Sequence, residues 1–262
     1  MHETNIKEKI RSGEFSSNTA CLKKGFLQCN IVILSKENAA DFYEFCQLNP
    51  KPCPLIAMSE PGSPYLPQLG DIDIRVDLPS YRIFENGIIR SDETDITDFW
   101  REDFITFAIG CSFSFDDILE EKGLEIRHNS DAGNISMYIT NLICKPAGQF
   151  KSNLVVSMRP FKPADAITAI ECSSQLPFAH GAPIHFGYPK EIGVENISLP
   201  DYGSPTKILE KEVPIFWACG VTPQLALLSA KPKIAITHTP GCMLITDIET
   251  KTLIKKKLPL RL

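Results

Sequence analysis

FITFAIGCSFSFDDILEEKG, residues 104–123, decides how the fold is read. Its first seven residues form an almost unbroken apolar run, without the alternation of a strand wet on one side. A run that is greasy on both faces suits a strand covered from both sides, as in a mostly parallel sheet. The helical signal follows at once: Ser114 as a cap, acids in the first turn and Gly123 as a stop. Strand, tight turn, helix is the unit from which α/β sheets are assembled.

The same signal recurs along the chain. CNIVIL (29–34), PLIAM (54–58), VPIFWACG (213–220) and KIAIT (233–237) are further continuous apolar runs. Between them, NAADFYEFCQ (38–47) places Ala39, Phe42, Phe45 and Cys46 on one helical face. TPQLALLSA (222–230) opens with a Thr cap and a proline at the first helical position. The stretch from 124 to 193 differs. LEIRH, SMYITNLI and NLVVSMR mix polar and apolar positions as half-exposed strands do, and Pro163 opens a helix through ADAITAIECSSQ. The expectation is an α/β fold: a mostly parallel sheet core with helices on both faces, plus an inserted smaller α+β domain. Residues 1–123 and 194–262 build the discontinuous core, and residues 124–193 the insert. No solenoid-period repeat or low-complexity tract interrupts this plan.

With 262 residues, 43% of them hydrophobic and 23% charged, the chain can bury a sizeable core without metal or disulfide support. A formal charge of −5 argues against nucleic acid or an anionic membrane as partner. Only the tail LIKKKLPLRL is locally basic, as a solvated terminus can be. Nine cysteines are an odd number in a long chain with no CxxC pair, and the N-terminal stretch carries no apolar signal segment. Reduced thiols and a cytoplasmic location are expected, with no membrane-spanning run. Self-association is left open.

Two strand-to-helix turns share one design. GCSFS (110–114) and CGVTPQ (219–224) each set a cysteine beside a glycine just before a helix. The leading N–H groups of a helix lack partners and carry positive potential, so such an end receives carboxylate or phosphate and lowers a nearby thiol pKa. Ser112, Ser114, Thr222 and Gln224 offer polar groups there. The plainer account is a small buried thiol and a capping hydroxyl. GCSFS also differs from the nucleophile elbow GxSxG by Ser114 in place of the last glycine.

HGAPIHFG supplies His180 and His185 at a spacing of five, which fits neither one helical face nor one side of a straight strand. Gly181 and Pro183 predict an irregular loop. Zinc could be held with Cys219 or His238 as further ligands, but neither HExxH nor paired CxxC is present, and no metal is predicted. Arg75, Arg127 and Arg159 are candidate carboxylate clamps, with Arg75 and Arg159 preferred. His238 follows a buried strand and is an acid–base candidate. No GxGxxG and no GxxxxGK[ST] occurs, so no nucleotide cofactor is implied, and no cofactor of any kind is expected.

Seven blocks read together resemble the D-glutamate cyclase family, whose bacterial members are named as hydro-lyases. They are FCQLNPKPCPL (45–55), DIDIRVDLPSYRIFENG (71–87), FAIGCSFSFDDIL (107–119), VVSMRP (155–160), HGAPIHFGYP (180–189), FWACGVTPQ (216–224) and THTPGCMLITD (237–247). Cys29 and Cys242 depart from that pattern. The resemblance implies a two-domain α/β fold and dehydration of D-glutamate to 5-oxo-D-proline or a close analogue. The alternatives are a hydro-lyase of another small hydroxy or amino acid, or a non-catalytic carboxylate-binding protein. On chemical grounds His180 or His185 is assigned as base, His238 as acid, and Cys111 or Cys219 as an alternative nucleophile. Ser112, Ser114, Arg159, Arg75, Thr222 and Gln224 are assigned to bind the diacid.

Overall fold

The structure is a computed structural model describing residues 6–20, 22–130 and 134–256. In chain order its elements are α1 (Ile6–Arg11), β1 (Phe26–Ser35), α2 (Lys36–Leu48), β2 (Leu55–Met58), β3 (Tyr81–Glu85), β4 (Ile88–Glu93) and β5 (Phe104–Gly110). They continue with α3 (Phe113–Glu121), α4 (Arg127–Ser130), β6 (Met137–Ile143), β7 (Asn153–Phe161), α5 (Pro163–Ser174) and β8 (His185–Phe186). The last are β9 (Val213–Ala218), α6 (Thr222–Ala230), β10 (Ile234–His238), β11 (Leu244–Glu249) and α7 (Thr250–Lys256). Four short 3-10 turns lie between them, one of which, Pro177–Ala179, leads into His180.

The expected parallel core is not what forms. Seven strands make one sheet in the order β2-β5-β1-β10-β3-β4 with β11 also beside β1, and every pairing in it is antiparallel. A second sheet, β6-β7-β9-β8, is antiparallel throughout as well. The reason lies in what a continuous apolar run reports. Successive residues of a strand point to opposite faces, so such a run requires both faces to be covered and says nothing about the direction of the neighbours. In β1, Ile31 and Ile33 enter one core while Val32 and Leu34 enter another. The first core lies against α3, α5 and the inner face of the second sheet, where Ile215 and Trp217 project. The second is closed by Ala39, Phe42 and Phe45 of α2, by Phe150, and by Ala226, Leu227 and Ala230 of α6.

Local signals held better. The seven-residue run 104–110 forms β5, and the helix read at 222–230 is α6. LEIRH does not form a strand: Leu124 and Ile126 are buried in the first core, and Arg127 begins the one-turn α4. β9, in the middle of the second sheet, comes from residues 213–218, so that sheet is completed from a distant part of the chain.

An interruption beside β1 places one of the histidines. β10 pairs with Val32–Leu34 and β11 with Phe26–Cys29 on the same edge, and residues 239–243 swing out of the sheet between them. The Ile31 N–H facing this gap donates to His238 Nδ1 at 3.1 Å, so a side chain supplies the acceptor that the backbone has withdrawn.

Among the described residues no helix is long and apolar enough to cross a membrane. The eight described cysteines are all free. Phe42 sits edge-on to Phe107 at 4.9 Å and to Phe150 at 5.2 Å between ring centroids, which fixes α2 to the sheet. Phe42→Ala is expected to cost about 3–5 kcal/mol of unfolding free energy, read as a lower urea midpoint at unchanged slope.

Candidate active site

The centre of the molecule is a charged group where none would sit unaided. Arg159, on the inner face of β7, is 2% exposed. A buried charge must be neutralised in place or it costs several kcal/mol. Asp116, in the first turn of α3, does so with both carboxylate oxygens. Arg159 Nε donates to Oδ1 at 2.7 Å and Nη2 to Oδ2 at 2.8 Å. Nη2 also donates to Ser112 Oγ at 3.1 Å and Nη1 to Ser157 Oγ at 3.3 Å. The guanidinium lies 4.6 Å from the Phe115 ring centre and 5.5 Å from that of Trp217. His128 Nε2 completes the group, 3.1 Å from Asp116 Oδ2. Burial alone would raise the Asp116 carboxyl, but Arg159 and His128 hold it below its ordinary value.

Around this centre the two strand-to-helix turns adjoin. Cys111 and Cys219 belong to one apolar cluster with Ile135, Met137, Val155 and Met243. Asn30 of β1 lies between the turns: its Nδ2 donates to Gly110 O at 2.9 Å, and a Cβ on Gly220 would fall 2.1 Å from that nitrogen. The likeness of design is real in detail, since the Phe113 N–H is directed at the Cys111 sulfur and the Val221 N–H at the Cys219 sulfur. Burial nevertheless outweighs those amides and the Arg159 charge, pushing Cys111 up to about 12 and Cys219 up to about 11. Both are thiols at neutral pH, not poised nucleophiles.

Most of the other hydroxyl and amide candidates are occupied with backbone. Ser114 Oγ accepts from Gln28 N at 2.9 Å, Thr222 Oγ1 donates to Cys219 O at 2.7 Å, and Gln224 Nε2 donates to His238 O at 3.0 Å. Arg75 is paired through two bonds with Asp73 and is not among the residues lining the cavity described below. His238 is fully buried, and burial lowers it to about 4.

His180 and His185 part company. His185 stands on edge strand β8 with its ring 5.9 Å from that of Phe216, on the outer face of the second sheet, and its Nε2 meets Tyr188 O at 3.0 Å. His180 lies on the Arg159 side. It is 2% exposed, and its backbone is held in the left-handed region at φ 73°, uncommon for a non-glycine residue. Just before it the chain presses on β5 so closely that a Cβ on Gly110 would lie 1.7 Å from Phe178 O. His180 Nδ1 donates to Lys51 O at 2.7 Å, which fixes the tautomer and leaves Nε2 an acceptor without a hydrogen-bond partner among the described residues. Burial, and after it the charges of Arg159 and Lys51, lower His180 to about 4.

This ring lines a cavity of about 700 Å³. Pro50, Lys51, Cys53 and Pro54 form one wall, Pro177, Phe178, Gly181 and Ala182 another. The first wall lies within the block 45–55 that carries the family resemblance; in the second, Gly181 and Ala182 belong to the block 180–189, and Pro177 and Phe178 precede it. Lys51 is the only formally charged side chain among the described lining residues, and no acidic group faces the space. Of these lining residues His180 is buried and Lys51 is exposed.

Asp116, His128, Ser157, Asn30 and Lys51 escaped the sequence reading. Asp116 had a usable signal: four residues after Ser112, it shares a helical face with it. Lys51 is a lone charge between two prolines. Nothing local marks His128 or Asn30, whose partners are 12 and about 80 residues away.

Two outcomes follow. Asp116→Asn leaves Arg159 buried without its counter-charge and should cost about 3–5 kcal/mol, measured by urea denaturation. For His180 and His238 the folded pKa lies below the ordinary 6.5, so between about 4 and 6.5 the unfolded chain binds protons that the folded chain does not. Stability should therefore fall as pH drops through that window, with a slope approaching two protons, and denaturation midpoints from pH 7 to 4.5 read it.

Comparison with known proteins agrees with this arrangement of blocks. Residues 105–247, just over half of the chain, match the family described as D-glutamate cyclase. A protein of Rhizobium johnstonii is 51% identical over 95% of this chain and 93% of its own length. One of Bordetella petrii is 51% identical over 92% and 91%, and one of Aliivibrio salmonicida 50% over 93% and 94%. All three carry the name "Putative hydro-lyase". With a family match over more than half its length and relatives this similar from end to end, the chain belongs to the D-glutamate cyclase family, in the branch named as hydro-lyases.

Proposed function

We propose that this protein dehydrates D-glutamate to 5-oxo-D-proline in the cavity floored by His180. One observation carries the reading: a buried imidazole lining the cavity, with its Nδ1 proton committed to Lys51 O and its Nε2 without a hydrogen-bond partner among the described residues. That is the geometry of a base held in one tautomer.

Cyclisation joins the α-nitrogen to the carbon of the γ-carboxyl group and releases one oxygen of that carboxyl as water. The nitrogen loses two protons and the departing oxygen gains two. The nucleophile has to be the free amine, whereas the amine of a dissolved amino acid is largely protonated. No acidic side chain among the described residues faces the cavity to hold an ammonium. The positive charge of Lys51 and the low polarity of the walls both favour the neutral amine. His180 Nε2 takes the proton, and the negative charge of a bound diacid raises the basicity of the ring from its resting value. The same ring delivers that proton to the γ-carboxyl oxygen and then relays the second from the attached nitrogen, so that both protons lost by nitrogen leave with the departing water. The prolines lining the walls hold the substrate folded on itself, which removes much of the orientational barrier.

The same lack of an acidic lining favours a second reading, dehydration of a small hydroxy acid that carries no ammonium. A panel of D- and L-amino diacids and hydroxy acids, followed by mass for loss of water, separates the two. D-Glutamate should lose one water; loss from a hydroxy acid alone contradicts the first reading. His180→Asn should lower turnover about 10²–10⁴-fold, while His185→Asn, on the opposite face of the second sheet, should stay within about twofold of the parent. Equal turnover by the parent and the His180 variant removes the proposed base.

A further inference from the structure

Lys51 does two separate things at the cavity. Its carbonyl accepts the Nδ1 proton of His180, and its ammonium crosses to the other wall, donating to Ala182 O at 2.5 Å. The first is a backbone function that any residue could perform; the second belongs to the side chain. Tyr43, Gln47 and Ser174 add neutral polar groups to the lining, and the remaining lining residues are largely apolar. The lysine has been partly withdrawn from water, and burial lowers its pKa. An ammonium whose partner is one neutral carbonyl has donors and charge to spare for an anion. Arg159, the other cation of this region, is committed to Asp116 and two serines. His180, a side chain 2% exposed whose Nε2 has no hydrogen-bond partner among the described residues, independently marks the same cavity as a place built to meet a ligand.

We propose that the Lys51 ammonium is the carboxylate-recognising group of this cavity and selects ligands by the charge at the end that faces the opening. Its ligand class is the small dicarboxylate, one carboxylate on Lys51 and the other reaching toward His180. This rests on the cavity being the substrate site, but it concerns binding and not the reaction. Discrimination arises because a neutral amide in place of the carboxylate would leave the lysine with the neutral carbonyl it already has.

The test uses the full chain, with glutarate as probe and its diamide, glutaramide, as neutral control, titrated by calorimetry. Lys51→Met should weaken glutarate at least about tenfold and leave glutaramide unchanged, since the backbone carbonyl and its bond to His180 remain. Lys51→Arg should restore glutarate to within about threefold. Glutarate binding that is equal in the parent and the Met variant, or undetectable in the parent at millimolar concentration, overturns the proposal. Turnover of D-glutamate is measured beside it. An unchanged KM in Lys51→Met overturns the role of Lys51 and leaves the reaction standing. Lys51-dependent glutarate binding without any turnover does the reverse.

Discussion

A guanidinium sealed inside the protein sets the terms for everything around it. Arg159 cannot lie 2% exposed without a counter-charge, and Asp116 is brought to it from a helix that follows the other sheet. That one pairing ties β7 to α3 and thereby one sheet to the other. Ser112, Ser157 and the faces of Phe115 and Trp217 then fit around the remaining surface of the cation. The same positive charge bears on three titratable groups. It acts against a proton on His180 and eases the two thiols, although for Cys111 and Cys219 burial remains the stronger influence.

A division follows between groups that are held and a group that is free. The turns at 110–114 and 219–224 are filled by their own contacts: Asn30 is wedged against both glycines, and Ser114 and Thr222 are spent on backbone. His180 is the exception. It is strained in backbone, fixed at Nδ1 and open at Nε2, and it lies where the rigid centre meets the cavity. Firm support behind one exposed functional edge is how a scaffold keeps a reactive group within small tolerances.

Much of this was written in short-range patterns. The span of β5 and the bounds of α6 follow from periodicity and residue type, although Val221 and not Thr222 stands at the cap of α6 and Ser112 and not Ser114 at that of α3. The burial of Arg159 was not legible. Nor was the direction of the strands, because a core on each side of β1 produces the same unbroken apolar run whether its neighbours are parallel or antiparallel. Roles that depend on who lies opposite were also hidden. His180 and His185 look equivalent at five residues apart, and only the pairing of β8 with β9 puts them on opposite faces of a sheet. His238 looks like a strand-end acid, and only the interruption between β10 and β11 makes it a substitute for a missing carbonyl. The burial of both cysteine turns in one apolar cluster was hidden as well, because solvation belongs to the whole fold.

The proposed chemistry requires His180 to offer an unprotonated Nε2 to the cavity at neutral pH. Nitrogen NMR of the protein labelled in its histidine rings, with His180 assigned by its substitution, observes this directly. The expected result is a neutral ring protonated at Nδ1 at pH 7, gaining its second proton only as the pH approaches about 4. A ring already doubly protonated at pH 7, or a neutral one carrying its proton on Nε2, would contradict it.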